Sequence, residues 1–125
     1  MIPLIEKLSK RNYSITVVTN GILLSKDVYL KLKSLDVFIS ISIDGPTAEA
    51  NDMIRGNGVF SRVSNNIKKL GLDGNCDNIQ IKSIVTRYNY LYINEYFDMC
   101  HNFKIKKVFR PNVHSTKAEA ASLRE

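Results

Sequence analysis

The sequence predicts an α/β domain built on a parallel sheet. Three observations carry that expectation. The hydrophobic pattern alternates between helical spacing and short apolar runs four times along the chain. The runs are rich in Ile and Val and read as strands buried on both faces. A helical segment separates each run from the next, as right-handed crossovers between parallel strands require. The chain has 125 residues, 44% hydrophobic and 24% charged, which is one domain's worth of globular composition.

The elements follow in order. Residues 2–11 place Ile2, Ile5 and Leu8 on one helical face, with Pro3 in the first turn. Ile15 to Val18 is a first strand, ended by Thr19, Asn20 and Gly21. Ser25 caps a helix over 26–34 with Val28, Leu32 and Leu35 turned inward. Val37 to Ile43 is a second strand, stopped by Asp44, Gly45 and Pro46. Residues 47–59 read as a long polar loop with room for one short helix. Phe60, Val63, Ile67 and Leu70 mark the next helix, and Gly71 stands where its C-terminus is expected. Asn78 to Val85 is a third strand, and Ile93, Phe97 and Cys100 mark a further helix. Lys107 to Arg110 is a fourth strand before Pro111, and the Ala- and Glu-rich tail from Thr116 is expected to be helical.

Composition excludes several function classes. No apolar run approaches the roughly 20 residues of a membrane helix. The first ten residues hold Glu6, Lys7 and Lys10, unlike a secretory leader, so a cytoplasmic location is expected. Eighteen Lys and Arg against twelve Asp and Glu give a net charge of +6, which raises a basic α/β nucleotide- or RNA-binding domain as an alternative. The densest basic stretch, Lys104 to Arg110, is not interleaved as a stacking platform, which argues against nucleic acid. Cys76 and Cys100 are the only two cysteines and form no CxxC, too few ligands for an iron–sulfur cluster. No role is assigned to either of them, or to His114, and no catalytic or metal-ligating residue is named.

In parallel sheets, ligands sit beyond the carboxyl ends of the strands. That rule selects Thr19-Asn20-Gly21, Ser42 to Pro46, Thr86 to Asn89, and Pro111 to His114. Asn20 and Gly21 suit a tight turn. Ser42 and Asp44 lie two apart, so an extended chain would point both to one side, as a hydroxyl and carboxylate pair able to bind a ribose. Asp44 as a simple turn cap stays open beside that reading. Arg55 is a loop arginine able to clamp a carboxylate, or simply a solvated cation.

The order of the motifs is more specific than any one of them. V-V-T-N-G-I-L-L at 17–24, I-S-I-S-I-D-G-P at 39–46, N-D-M-I-R-G-N-G-V-F at 51–60, V-T-R-Y-N at 85–89 and F-R-P-N-V-H at 109–114 succeed one another. This arrangement resembles the radical S-adenosylmethionine enzymes, in the branch with a C-terminal auxiliary-cluster (SPASM) domain that includes anaerobic sulfatase-maturing enzymes and peptide maturases. The resemblance implies a partial (β/α)₆ TIM-like barrel, of which residues 1–125 would form the portion around the third to sixth strands, as a single partial domain. It implies S-adenosylmethionine binding by Ser42 at the ribose, Asp44 beside it, Arg55 at the methionine carboxylate, Thr19 and Asn20 at the floor, and Val113 near the adenine. It also implies a [4Fe–4S] cluster, a 5′-deoxyadenosyl radical and a peptide or protein substrate. Asn51 stands where the family commonly has histidine. The CxxxCxxC loop and the G-G-E-P motif do not occur in this sequence. The chain is therefore expected to be a fragment without the cluster-binding part and the SPASM domain, inactive alone. Its exposed sheet edges are expected to invite self-association. A short non-catalytic binding or assembly protein is the other alternative.

Overall fold

A computed structural model describes residues 1–109. The predicted tail helix from Thr116, and Val113 and His114, lie outside the described residues. The element order is α1 (Ile2–Ser9), β1 (Thr16–Thr19), α2 (Lys26–Ser34), β2 (Phe38–Ser42), α3 (Ala48–Arg55), α4 (Val59–Lys69), β3 (Ile79–Lys82), α5 (Ile93–Asn102) and β4 (Lys107–Phe109). One 3₁₀ turn at Tyr90–Tyr92 leads into α5. All neighbouring strands pair in parallel, and their spatial order β1-β2-β3-β4 follows the chain.

That sequential order decides where the helices go. With every crossover of one hand, all helices land on the same side of the sheet. The burial pattern agrees. Ile39, Ile41, Ile79 and Ile81 face the helices and are fully buried, with Leu32, Val63, Ile67 and Tyr96 packed over them. The partners in register on the other face are Val18, Ser40, Gln80 and Lys107, then Ser42, Lys82 and Phe109. Val18 is 60% and Phe109 50% exposed. The expectation of strands buried on both faces is therefore corrected: one face is open among the described residues. The apolar strand runs concealed this, because Ser40, Ser42 and Gln80 alternate with the isoleucines only across a few positions.

Two boundaries also differ. Residues 47–59 are mostly helix, because Thr47 accepts a hydrogen bond from Ala50 N–H and nucleates α3 right after Pro46. The third strand covers only Ile79–Lys82, since the chain turns away into the Thr86–Asn89 loop. Ser25 caps α2 through Val28 N–H, and Gly71 follows α4 at φ +67°, both as the sequence predicts. No helix among the described residues is long and apolar enough to cross a membrane.

Candidate functional site

The carboxyl ends of β1, β2 and β3 converge on a cavity of about 360 Å³ lined by Asn20, Ile22, Asp44, Ile54, Arg55, Val59 and Ile84. Asn20 and Asp44 come from the loops after β1 and β2, each held by a distinct device, whereas Arg55, expected in a loop, is the last residue of α3, which Thr47 caps.

The first loop is a turn that starts at Thr19. The Thr19 hydroxyl accepts from Gly21 N–H at 3.1 Å, and Asn20 Oδ1 accepts from Ile22 N–H at 3.1 Å. Gly21 sits at φ +78°, and a Cβ there would come within 3.1 Å of Ile41 and Val63 side chains. From α4, the Asn66 amide donates to the carbonyls of Gly21 and Ile22 at 2.9 and 2.7 Å. The sequence carried no signal for Asn66, whose role depends on a contact 44 and 45 residues away.

The second loop carries Asp44, which is 4% exposed. Its backbone N–H donates to Asn51 Oδ1 at 2.8 Å, and its carbonyl accepts from the Asn89 amide at 2.9 Å. The preceding carbonyl, of Ile43, accepts from the Tyr96 hydroxyl at 2.8 Å. Gly45 is where α3 closes on this loop: a Cβ would stand 2.6 Å from Asn51 N and 2.7 Å from Ala50. Glycine is required there by close approach. Asn51, which stands where the family commonly has histidine, thus accepts the Asp44 backbone N–H.

Asp44 and Arg55 meet. Asp44 Oδ2 lies 2.6 Å from Arg55 Nε, while Asp44 Oδ1 accepts from Ile84 N–H at 3.2 Å. The Nε–H is not aligned along the contact, so this is an ion pair rather than a bidentate fork. The Asp44 side chain is 5% exposed, and the Arg55 side chain lines the cavity at about one-quarter exposure. Next to Asn51, Asp52 accepts from Phe60 N–H at 2.8 Å and Gly58 N–H at 2.9 Å, and so binds the start of α4. Those bonds, Phe60 foremost, hold its carboxyl below the ordinary value of 3.8.

Of the residues singled out in the sequence, Asn20, Asp44 and Arg55 are brought together at the cavity. Thr19 is spent on its turn. Ser42 lies on the open sheet face and is not among the cavity's lining residues. Val113 lies outside the described residues. Cys76 contacts the Tyr29 hydroxyl, and Cys100 is buried in the core. Burial, then the Cys76 contact, pushes the Tyr29 hydroxyl above its ordinary value of 10.0. No cluster of three or more His, Cys, Asp or Glu able to hold a metal occurs among the described residues.

No family model matches the chain. Among curated proteins it is 30% identical over 104 residues to mycofactocin maturase MftC of Mycobacterium tuberculosis, covering 80% of this chain and 26% of that protein. It is 33% identical over 87 residues to mycofactocin maturase MftC of Mycobacterium ulcerans, covering 69% and 23%. The chain thus spans about a quarter of the length of these relatives. Among solved structures, Streptococcus suis SuiB superposes with a TM-score of 0.71 at 20% identity, over 94% of this chain and 27% of that one. Native anSMEcpe with bound AdoMet superposes with a TM-score of 0.68 at 18% identity, over 90% and 34%. These likenesses establish the fold: four parallel strands and their helices as a portion of a partial TIM-like barrel.

Proposed function

Because the chain belongs to the radical S-adenosylmethionine family, in the SPASM-type branch of peptide maturases, we propose that its cavity is part of an S-adenosylmethionine site. The observation that carries this reading is the convergence of Asn20 and Asp44, from the loops after β1 and β2, and Arg55, from the end of α3, on one cavity. The residues present fit the group. Arg55 offers a guanidinium to a carboxylate, and Ile22, Ile54, Val59 and Ile84 offer apolar walls to a nucleoside. The cavity volume of about 360 Å³ falls in the range of small-molecule sites. By family resemblance, Ser42 would meet the ribose, Thr19 the floor and Val113 the adenine region.

The group, when bound with a reduced [4Fe–4S] cluster, supplies a 5′-deoxyadenosyl radical for hydrogen abstraction from a peptide or protein side chain. This chain's own part is binding. Asp44 holds Arg55 by charge, Asn51 and Asn89 hold Asp44, and the apolar walls exclude water. Neither cysteine belongs to a CxxxCxxC motif, so the cluster's ligands are not supplied by these residues. A peptide substrate is supported by SuiB, which has been solved with its precursor peptide SuiA. We further assign the chain to the cytoplasm, where thiols such as Cys76 and Cys100 stay reduced. We also expect self-association through its sheet edges.

Calorimetric titration with S-adenosylmethionine tests the site. Arg55→Ala is expected to weaken binding by roughly 1.5–3 kcal/mol, the worth of a hydrogen bond to a charged group. Unchanged affinity in a folded variant would remove Arg55 from the site.

A further inference from the structure

We propose that Asn89 is a positioning residue for the Asp44–Arg55 pair, acting through the backbone that carries them. Asn89 is 1% exposed and lies 45 residues from Asp44 in the chain. Its amide is used on both sides. Nδ2 donates to the carbonyl of Asp44 at 2.9 Å and to that of Ile84 at 2.8 Å, and Oδ1 accepts from Thr86 N–H at 2.8 Å. Ile84 in turn donates its N–H to Asp44 Oδ1 at 3.2 Å. These bonds close a ring. Asn89 holds the Asp44 carbonyl, the Asp44 carboxylate holds the Ile84 N–H, and the Ile84 carbonyl returns to Asn89. The ring joins the loop after β2 to the loop after β3, and Asp44 Oδ2, on its far side, faces Arg55 at 2.6 Å.

The chemistry of the ring selects asparagine. Two donors on one nitrogen and one acceptor beside it are needed in a plane, which an amide supplies. A carboxylate in its place would set oxygen against two carbonyl oxygens. Asn89 is itself seated by its own turn, since Asn89 N–H and Tyr90 N–H both donate to the Thr86 carbonyl. Its grip falls on the segments that bear Asp44 and Ile84, both of which line the cavity. The ring makes the guanidinium's placement depend on a residue that does not line that cavity.

This inference rests on the proposed S-adenosylmethionine site, so its test has one arm that needs no ligand. The full chain is compared with Asn89→Asp, with the milder Asn89→Ser, and with Leu32→Val, a core truncation in α2. The first measurement is the nitrogen–proton NMR signals of Arg55 Nε–H and Ile84 N–H without ligand. The second is calorimetric titration with S-adenosylmethionine. Both Asn89 variants are expected to shift both signals and to weaken binding by about tenfold or more. Leu32→Val is expected to lower thermal stability while leaving signals and affinity in place. Unmoved signals in either folded Asn89 variant overturn the proposal, as do equal shifts in Leu32→Val. Absence of S-adenosylmethionine binding by the unmodified chain would defeat the functional reading alone, and the NMR arm would still decide the role of Asn89.

Discussion

At the scale of single residues, Asp44 owes its position to neighbours that hold both its backbone N–H and its carbonyl. Gly45 is the residue that lets them approach. A Gly45→Ala substitution places a methyl 2.6 Å from a backbone nitrogen, which cannot move without shifting α3. The expected cost is about 1–3 kcal/mol, as for overpacking elsewhere, with weakened ligand binding. Thermal melts and titration of the variant check it, and an unchanged melting temperature would contradict the close approach. Asp52 makes a pH prediction. Its folded-state carboxyl titrates below the ordinary value of 3.8, because Phe60 N–H and Gly58 N–H stabilise the anion. Its contribution to stability is therefore complete above that value and is lost as pH falls through the lower, folded-state value. Asp52→Asn should flatten the acid limb of the stability curve below pH 4, followed by denaturant melts at a series of pH values. An identical acid limb would mean that the bonds from Phe60 and Gly58 N–H to Asp52 contribute nothing.

At the scale of elements, α3 and α4 do the work of assembly. Asn51 and Asp52 are adjacent, yet one binds the loop after β2 and the other binds the start of α4. A short helix thus ties two other segments together. The polar composition of 47–59 predicts a long loop with room for one short helix, yet Thr47, Asn51 and Asp52 bond to backbone and hold α3 and the start of α4 there. On α4, Asn66 secures the Thr19–Ile22 turn through two carbonyls. Asn66→Ala should cost about 1–3 kcal/mol by leaving those acceptors poorly satisfied. Hydrogen exchange should then quicken at Ile22 and Leu24 but not in β2. Uniform acceleration across the sheet would show that the effect is global.

At the scale of the whole molecule, the four-stranded sheet is covered on one side. Val18 and Phe109 stand exposed on the other, and β1 and β4 are its edges among the described residues. Unpaired edges pair readily with other chains. The isolated chain is expected to gain mass with concentration in sedimentation, and Val18→Lys on the β1 edge should suppress that gain. A constant monomer mass at all concentrations would refute it. The four parallel strands match a portion of a partial TIM-like barrel, and the chain spans about a quarter of the length of the curated relatives.

Alternation of period and glycine and proline punctuation were enough by themselves to give the α/β class and the parallel strands, and the order of the motifs gave the family resemblance that the curated relatives then supported. Period and punctuation are local properties, encoded by residues within a few positions of one another, and the motif order is read along the chain without knowing which segments meet. The tertiary structure alone decided that one sheet face is open, that Asp44 lines the cavity while Ser42 does not, and that Asn51, Asn66, Asn89 and Tyr96 hold the loops around it. Each of those facts depends on which segments meet across the fold. Asn89 meets Asp44 from 45 residues away, and Tyr96 meets Ile43 from 53. A polar side chain in the sequence looks the same whether water or a distant carbonyl will satisfy it.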